Sequence, residues 1–435
     1  MECRFRFQRE VAEVAGKGIG KGTRSMSASA AKIWREVPFG TIVSHSAFGP
    51  RFSGSAYADD GNIATLRTTD LDDDGRISYE TMPLAVLNED RFANHLLNVG
   101  DLVITRSGTC GIAAVFEGFN LPVLPGAFLI RFRLNDSAES RFYRYYFNAP
   151  LGRQNILSVA RGAVQQNLNI TSVEALRVPL PPLSEQRHIV NLLSAYDDLI
   201  ENNRRRMALL EDAARQLYRE WFVRLRFPGH EHTRITNGVP EGWEQKRLGD
   251  VSDCVGGGTP STSVSNYWDN GDVTWVTPTD VTRNENLVLL DSGKKITEAG
   301  LQNSSAKIVP AHSVLMTSRA SVGFFAVAGR EVCTNQGFIS VVAHDRTLWP
   351  YFLFHLSERV EEIRSMGSGS TYPEVSRGKF REFELLLPKH SLSAAFGKQA
   401  TDLLSHIRIL KQQNEKLRAA RDLLLPRLMS GEIAV

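Results

Sequence analysis

Gly16-Lys-Gly-Ile-Gly-Lys-Gly-Thr23 comes nearest to a chemical motif in this chain. It approaches the glycine-rich loop whose backbone amides cradle phosphates while a lysine reaches them. The position that needs glycine is Ala15, the position after the lysine needs a hydroxyl and holds Gly22, and no strand precedes the loop. His230-Glu-His232 sits in a Pro-Gly linker without the spacing that lets two imidazoles share a zinc ion. Glu244-Gln-Lys246 has a nuclease-like spacing that chance also produces. Cys3, Cys110, Cys254 and Cys333 are scattered without metal-ligand spacing, which predicts buried or free thiols in a reducing cytoplasm. No catalytic, metal or cofactor residue is assigned.

The composition is that of an ordinary globular protein: 435 residues, 42% hydrophobic and 23% charged, enough for two or more cores. No apolar run approaches the roughly 18 residues of a membrane span, and the N-terminus lacks the apolar stretch of a signal peptide. Residues 1–25 carry six Lys or Arg against three Glu, a balance equal to the net charge of +3 for the whole chain. The remainder is therefore neutral, and any nucleic-acid surface must come from segregated charge. Residues 1–32 read as a basic extension, expected to be disordered or to reflect a reading frame that begins at Met26.

The elements that would position any site are written twice. Trp34-Arg-Glu-Val-Pro-Phe-Gly40 aligns with Trp243-Glu-Gln-Lys-Arg-Leu-Gly249, and Asn62–Asp70 with Asp272–Asp280. Asp101–Gly111 aligns with Ser313–Gly323, Arg161–Leu168 with Ser368–Val375, and Pro181 and Pro388 close the two copies. The offset stays between 206 and 212, so the repeat unit is a whole domain and not a solenoid turn. Neither copy holds a matching set of His, Glu, Asp or Cys, which argues against a duplicated active site.

A heptad seam follows each copy. The first runs Ile189, Leu193, Tyr196, Ile200, Asn203, Met207, Leu210, Ala214, Leu217, Trp221. The second runs Phe396, Ala400, Leu403, Ile407, Leu410, Asn414, Leu417, Arg421, Leu424, Leu428, with Pro426 ending or kinking it. Each holds one asparagine, on opposite sides of its centre. Flush antiparallel pairing makes every pair sum to 617, so Asn203 meets Asn414, Trp221 meets Phe396 and Ile189 meets Leu428. Flush parallel pairing would leave two buried amides unmatched, at about 1–3 kcal/mol each. The competing arrangement is two independent amphipathic helices, each lying on its own domain. A seam of 33 residues would span roughly 50 Å, placing two domains at opposite ends about an approximate twofold, a spacing suited to half-sites about one DNA turn apart.

Several segments resemble the specificity subunit of type I restriction-modification systems. They are Pro181-Pro-Leu-Ser-Glu-Gln-Arg-His-Ile189, Leu217-Tyr-Arg-Glu-Trp-Phe-Val-Arg-Leu-Arg-Phe-Pro-Gly-His230, and Gly256-Gly-Gly-Thr-Pro-Ser261 with Tyr267-Trp268 and Thr274-Trp-Val276. The ending Ala420–Glu432 completes the set. The resemblance runs from about Ile33 to Val435, although Phe48-Gly-Pro-Arg-Phe52 stands where the second copy has its Gly-Thr-Pro-Ser loop. It implies an α+β chain: mixed α/β target recognition domains at 33–182 and 243–389, separated by conserved helices at 183–224 and 390–435 that form an antiparallel coiled coil, with a linker at 225–242. It implies a cytoplasmic, non-catalytic chain that binds double-stranded DNA, two methyltransferase subunits and restriction/translocase subunits. S-adenosylmethionine, ATP and Mg are expected on those partners and none on this chain. Leu180-Pro-Pro-Leu183, the chain's only Pro-Pro, lacks the Asn or Asp and the aromatic with which an adenine methyltransferase holds a flipped base. A solitary coiled-coil adaptor for protein or RNA is the alternative.

The candidate DNA contacts are polar turns at matched places in the two copies. They are Arg67, Thr68 and Thr69 against Thr277 and Thr279; Arg106 and Ser107 against Ser318 and Arg319; and Gln165, Gln166 and Asn167 against Ser368, Ser370 and Tyr372. Arginine would hold phosphate and amides would read adenine. The same residue types also serve as solvated turns and backbone caps. Gly108 and Gly111 read as a tight strand turn.

Overall fold

The computed structural model describes residues 34–160, 167–367 and 374–433. Contacts divide the chain into two compact units, one running to Ser194 and resuming at Arg421, the other Ala195–Ala420.

In unit 1 a four-stranded sheet has the order Val43–Phe48, Leu129–Leu134, Leu102–Thr105, Ala113–Val115, with antiparallel neighbours. Its central strand Leu102-Val-Ile-Thr105 is buried on both faces, as an unbroken apolar run requires. A three-stranded sheet joins Leu84–Ala85, Ile63–Leu66 and Val123–Pro125, the last two parallel. The helix Ser140–Asn148 buries Phe142, Tyr143, Tyr145, Tyr146 and Phe147 against the larger sheet. Glu36–Pro38 pairs with Arg177–Pro179 and closes the domain.

Unit 2 repeats the plan. Its larger sheet runs Ser252–Gly256, Phe338–Ala343, Val314–Thr317, Phe325–Ala328, with a fifth strand Val288–Leu289 added. Lys294–Ile296, Val273–Val276 and Cys333–Thr334 form the three-stranded sheet, again with one parallel pair. Glu244–Arg247 pairs with Glu384–Leu387 as the closing strands. One bond recurs in both units: the phenol of Tyr143 donates to Pro179 O (3.0 Å) and that of Tyr351 to Leu386 O (2.7 Å), tying helix to closing strand.

The long helices are Leu183–Tyr218, continued by a π-helical turn Arg219–Val223, and His390–Met429. Within unit 2 they run antiparallel in the expected register. Asn203 Nδ2 donates to Asn414 Oδ1 at 2.9 Å, Asn414 Nδ2 donates to Ile200 O at 3.1 Å, and the Trp221 and Phe396 rings lie 6.0 Å apart. Both amides are buried, so the bond between them removes the desolvation cost that either would carry alone. Within unit 1, Ile189, Val190 and Leu193 share a core with Leu425, Leu428 and Met429. Pro426 lies in the last turn, three residues before the helix ends.

The helices are also fastened to the domains. At the start of the first, buried Gln186 accepts from Glu139 N (2.8 Å) and donates to Ser137 O (3.0 Å) and Pro181 O (2.9 Å). In unit 2, Glu211 accepts from Leu287 N (2.8 Å) and Lys411 donates to Val288 O (2.9 Å). The Tyr218 phenol meets His355 Nδ1 at 2.8 Å, and burial, with Arg359 close by, pushes His355 down to about 3. Phe222 and Phe227 pack on Trp243, with centroids 5.9 and 5.7 Å away, which accounts for the aromatic run after Leu217. Among the described residues no helix is long and apolar enough to cross a membrane.

Candidate nucleic-acid interface

In unit 2, four loops meet at one end of the sheets. Gly258 N donates to Thr334 O (2.8 Å), Asn335 N to Val276 O (3.0 Å), Ser318 N to Gly337 O (2.8 Å) and Val375 N to Ser318 O (3.0 Å). These bonds bring the Gly256–Ser261 loop, the Thr277–Thr279 turn, the Ser318–Gly323 turn and the segment at Glu374 around the short turn Thr334–Gly337. Unit 1 makes three of the same bonds, Gly126 N to Leu66 O (2.8 Å), Arg106 N to Phe128 O (2.9 Å) and Leu168 N to Arg106 O (2.9 Å), and ties its first loop to the next strand by Gly49 N to Leu129 O (3.0 Å). The shared geometry is a rim of turns, and in each unit the described candidates lie on it.

The candidates divide by what their side chains do. Arg67 is engaged: its backbone N–H donates to Asp70 (2.7 Å), its guanidinium grips the same carboxylate at 2.8 and 3.1 Å, and it also donates to Thr81 O at 2.7 Å. Thr277 takes the equivalent place, with N and Oγ1 donating to Asp280 at 2.7 and 2.6 Å. Both are turn-capping residues, the role in which a carboxylate three positions on reaches back to the first backbone N–H. Thr69 and Thr279 remain exposed beside them, Thr68 is half-buried, and Ser107 and Ser318 are buried. Arg106 donates to Asn167 Oδ1 (3.0 Å) and stacks 4.3 Å over Phe48. Arg319 is exposed and pairs with Glu374 at 2.7 Å, which raises its pKa. Gln165, Gln166, Ser368, Ser370 and Tyr372 lie outside the described residues.

The turn at the centre of the rim is not among the matched polar turns of the sequence. In unit 2 it presents Asn335 and an exposed Gln336; the equivalent residues in unit 1 are Gly126 and Ala127, followed by an exposed Phe128. The Gly256–Ser261 loop beside it is pinned by two indoles, Trp275 Nε1 donating to Gly258 O (2.9 Å) and Trp268 Nε1 to Ser261 O (3.0 Å). The short helix at the rim differs in charge: Arg377–Arg381 in unit 2 reads RGKFR, whereas Ile170–Glu174 in unit 1 reads ITSVE.

One further sequence pattern has a structural use. Asp70-Leu-Asp-Asp-Asp-Gly75 has the spacing of a calcium loop. Asp70 is bound by Arg67 and Thr81, Asp72 accepts from Asp74 N (3.0 Å) and Arg76 N (2.9 Å), and Asp74 pairs with Arg421 at 3.1 Å. Among the described residues no three His, Cys, Asp or Glu are grouped to hold a metal ion. Glu244 and Lys246 form an exposed ion pair at 2.9 Å.

Comparison with known proteins agrees with this layout. The family model described as the type I restriction modification DNA specificity domain matches twice, over residues 34–212 and 240–419. The MjaIX type I restriction enzyme specificity subunit of Methanocaldococcus jannaschii is 34% identical over 152 residues, a match covering 34% of this chain and only 35% of that protein. The putative MjaX specificity subunit of the same organism is 24% identical over 80% of this chain and 82% of its own length. The crystal structure of a type I restriction-modification S subunit from M. genitalium superposes with a TM-score of 0.57 at 15% identity, covering 92% of this chain and 97% of that one. At that identity the likeness speaks to the fold.

Proposed function

Since the chain belongs to the family of type I restriction-modification DNA specificity domains, whose role is to give such enzymes their DNA sequence specificity, we propose that each of its recognition domains reads one half of a bipartite, gapped duplex site. The observation that carries this is the rim itself, the same backbone turns in both units with different side chains mounted on them. A duplicated scaffold with divergent tips suits two short, unlike sequences. The paired helices fix the register, and the Asn203–Asn414 bond admits one alignment. This chain acts by binding. Two methyltransferase subunits, carrying S-adenosylmethionine, methylate adenine N6 in each half, and restriction/translocase subunits use ATP and Mg to move and cut DNA. Exposed leucines on the helices, Leu199 and Leu209 in unit 2 and Leu192 and Leu423 in unit 1, offer apolar surface to such partners.

The test is a domain exchange. Replacing residues 243–388 by the corresponding segment of another specificity subunit should change one half of the methylated motif and leave the other half and its partner contacts intact. A change in both halves would refute modular reading. An orphan gene with no methyltransferase beside it, together with no methylation change, would favour an adaptor.

A further inference from the structure

Gln336 is exposed on the Thr334–Gly337 turn, and Thr259 Oγ1 donates a hydrogen bond to its Oε1. Thr259 belongs to the loop held at both ends by the indoles of Trp275 and Trp268, so the hydroxyl that fixes the amide is itself fixed. Asn335 Oδ1 accepts from Gly337 N at 2.9 Å, which stiffens the turn from below. A glutamine set on a rigid turn, with its amide orientation chosen by a neighbour, loses little freedom when it binds. The bond from Thr259 uses one of the two Oε1 lone pairs and leaves the other, with both Nε2 hydrogens, on an exposed side chain. One acceptor beside one donor is the pattern that pairs with the N6 amine and N7 of adenine in the major groove. Arg377 lies beside Gly256 at the same rim, and Lys379 and Arg381 are exposed on its helix, placed to meet phosphate.

We propose that Gln336 reads an adenine in the half-site recognised by unit 2, with Thr259 as the positioning residue that sets its amide. The assignment rests on the reading of the chain as a DNA-specificity subunit. It also accounts for a difference between the copies: unit 1 has Ala127 at this place and an exposed Phe128 after it, a side chain suited to a thymine methyl or to wedging between bases.

The full-length chain is co-expressed with its methyltransferase subunits, and genomic N6-methyladenine is mapped for the wild type, Gln336→Ala, Thr259→Val and Thr259→Ser. Gln336→Ala should lower discrimination by about tenfold at one adenine-bearing position of one half-site, with the other half unchanged. Thr259→Val should relax the same position less, and Thr259→Ser should restore it. Both side chains are at the surface, so the variants should melt like the wild type. An unchanged motif with Gln336→Ala overturns the assignment alone. Loss of methylation at every site by a variant that melts normally also overturns it, since a base-reading residue would relax one position. A wild-type chain that yields no two-part motif overturns the functional reading and the assignment with it.

Discussion

The rims of the two units share a backbone and differ at nearly every exposed tip. At the cap, Arg67 in unit 1 and Thr277 in unit 2 both bind an aspartate three residues on. At the strand turn, Gly108 has φ +79° and its counterpart Ala320 has φ +62°. On the central turn, Ala127-Phe128 in unit 1 corresponds to Gln336-Gly337 in unit 2, and the neighbouring helix carries three basic residues in unit 2 and none in unit 1. Three of the backbone bonds that build the rim are common to both units, so they belong to the scaffold, whereas the side chains mounted on it vary. Where a residue serves the turns that the two copies share, substitution should cost stability; where an exposed tip differs and serves no turn, it should change what is bound.

The largest effect should come from the shared glycines Gly323 and Gly111, at φ +89° and +83°. A Cβ would fall 2.3 Å from Val360 Cγ2 in unit 2 and 2.9 Å from Ile156 Cγ2 in unit 1. Alanine at Gly323 should destabilise by about 2–4 kcal/mol, from left-handed strain plus overpacking, and at Gly111 by less. Chemical denaturation of the two variants checks the order; equal losses would break the comparison. Next is the helix pair. Asn203→Leu should cost about 1–3 kcal/mol because Asn414 Oδ1 is left buried without its donor, and adding Asn414→Leu should recover stability. Thermal melts of both singles and the double decide it, and simple additivity would mean that the two amides do not interact. Smaller again, Thr277→Ala and Arg67→Ala should each lower stability by about 1 kcal/mol through the lost side-chain bonds to Asp280 and Asp70 while leaving the methylated motif as it was; a changed motif would return them to the list of DNA contacts. Smallest, Ala320→Gly should stabilise by about 0.5 kcal/mol and Gly108→Ala should destabilise by a similar amount, because the turn asks for φ > 0 in both units.

The duplication, the two seams and the pairing of Asn203 with Asn414 were legible because each is a periodic or length-matched signal that survives side-chain divergence. The rim was only partly so. The caps at Arg67 and Thr277 had a readable signature in Asp70 and Asp280, yet polar residues after a strand look alike whether they face ligand or backbone. The Thr334–Gly337 turn was missed for a physical reason. It joins two buried strands by three residues, and its partner in unit 1 is Gly126-Ala127-Phe128, so comparing the copies for matched polar turns hides it. That Thr259 would meet Gln336, 77 residues away, depends on how the sheets stack and has no local mark.

The most direct test is single-molecule sequencing of genomic DNA from cells with and without this gene, co-expressed with a type I methyltransferase subunit. The account predicts a gapped, two-part N6-methyladenine motif that is present with the gene and vanishes without it. Identical methylation in both, with the methyltransferase expressed and soluble, would contradict it.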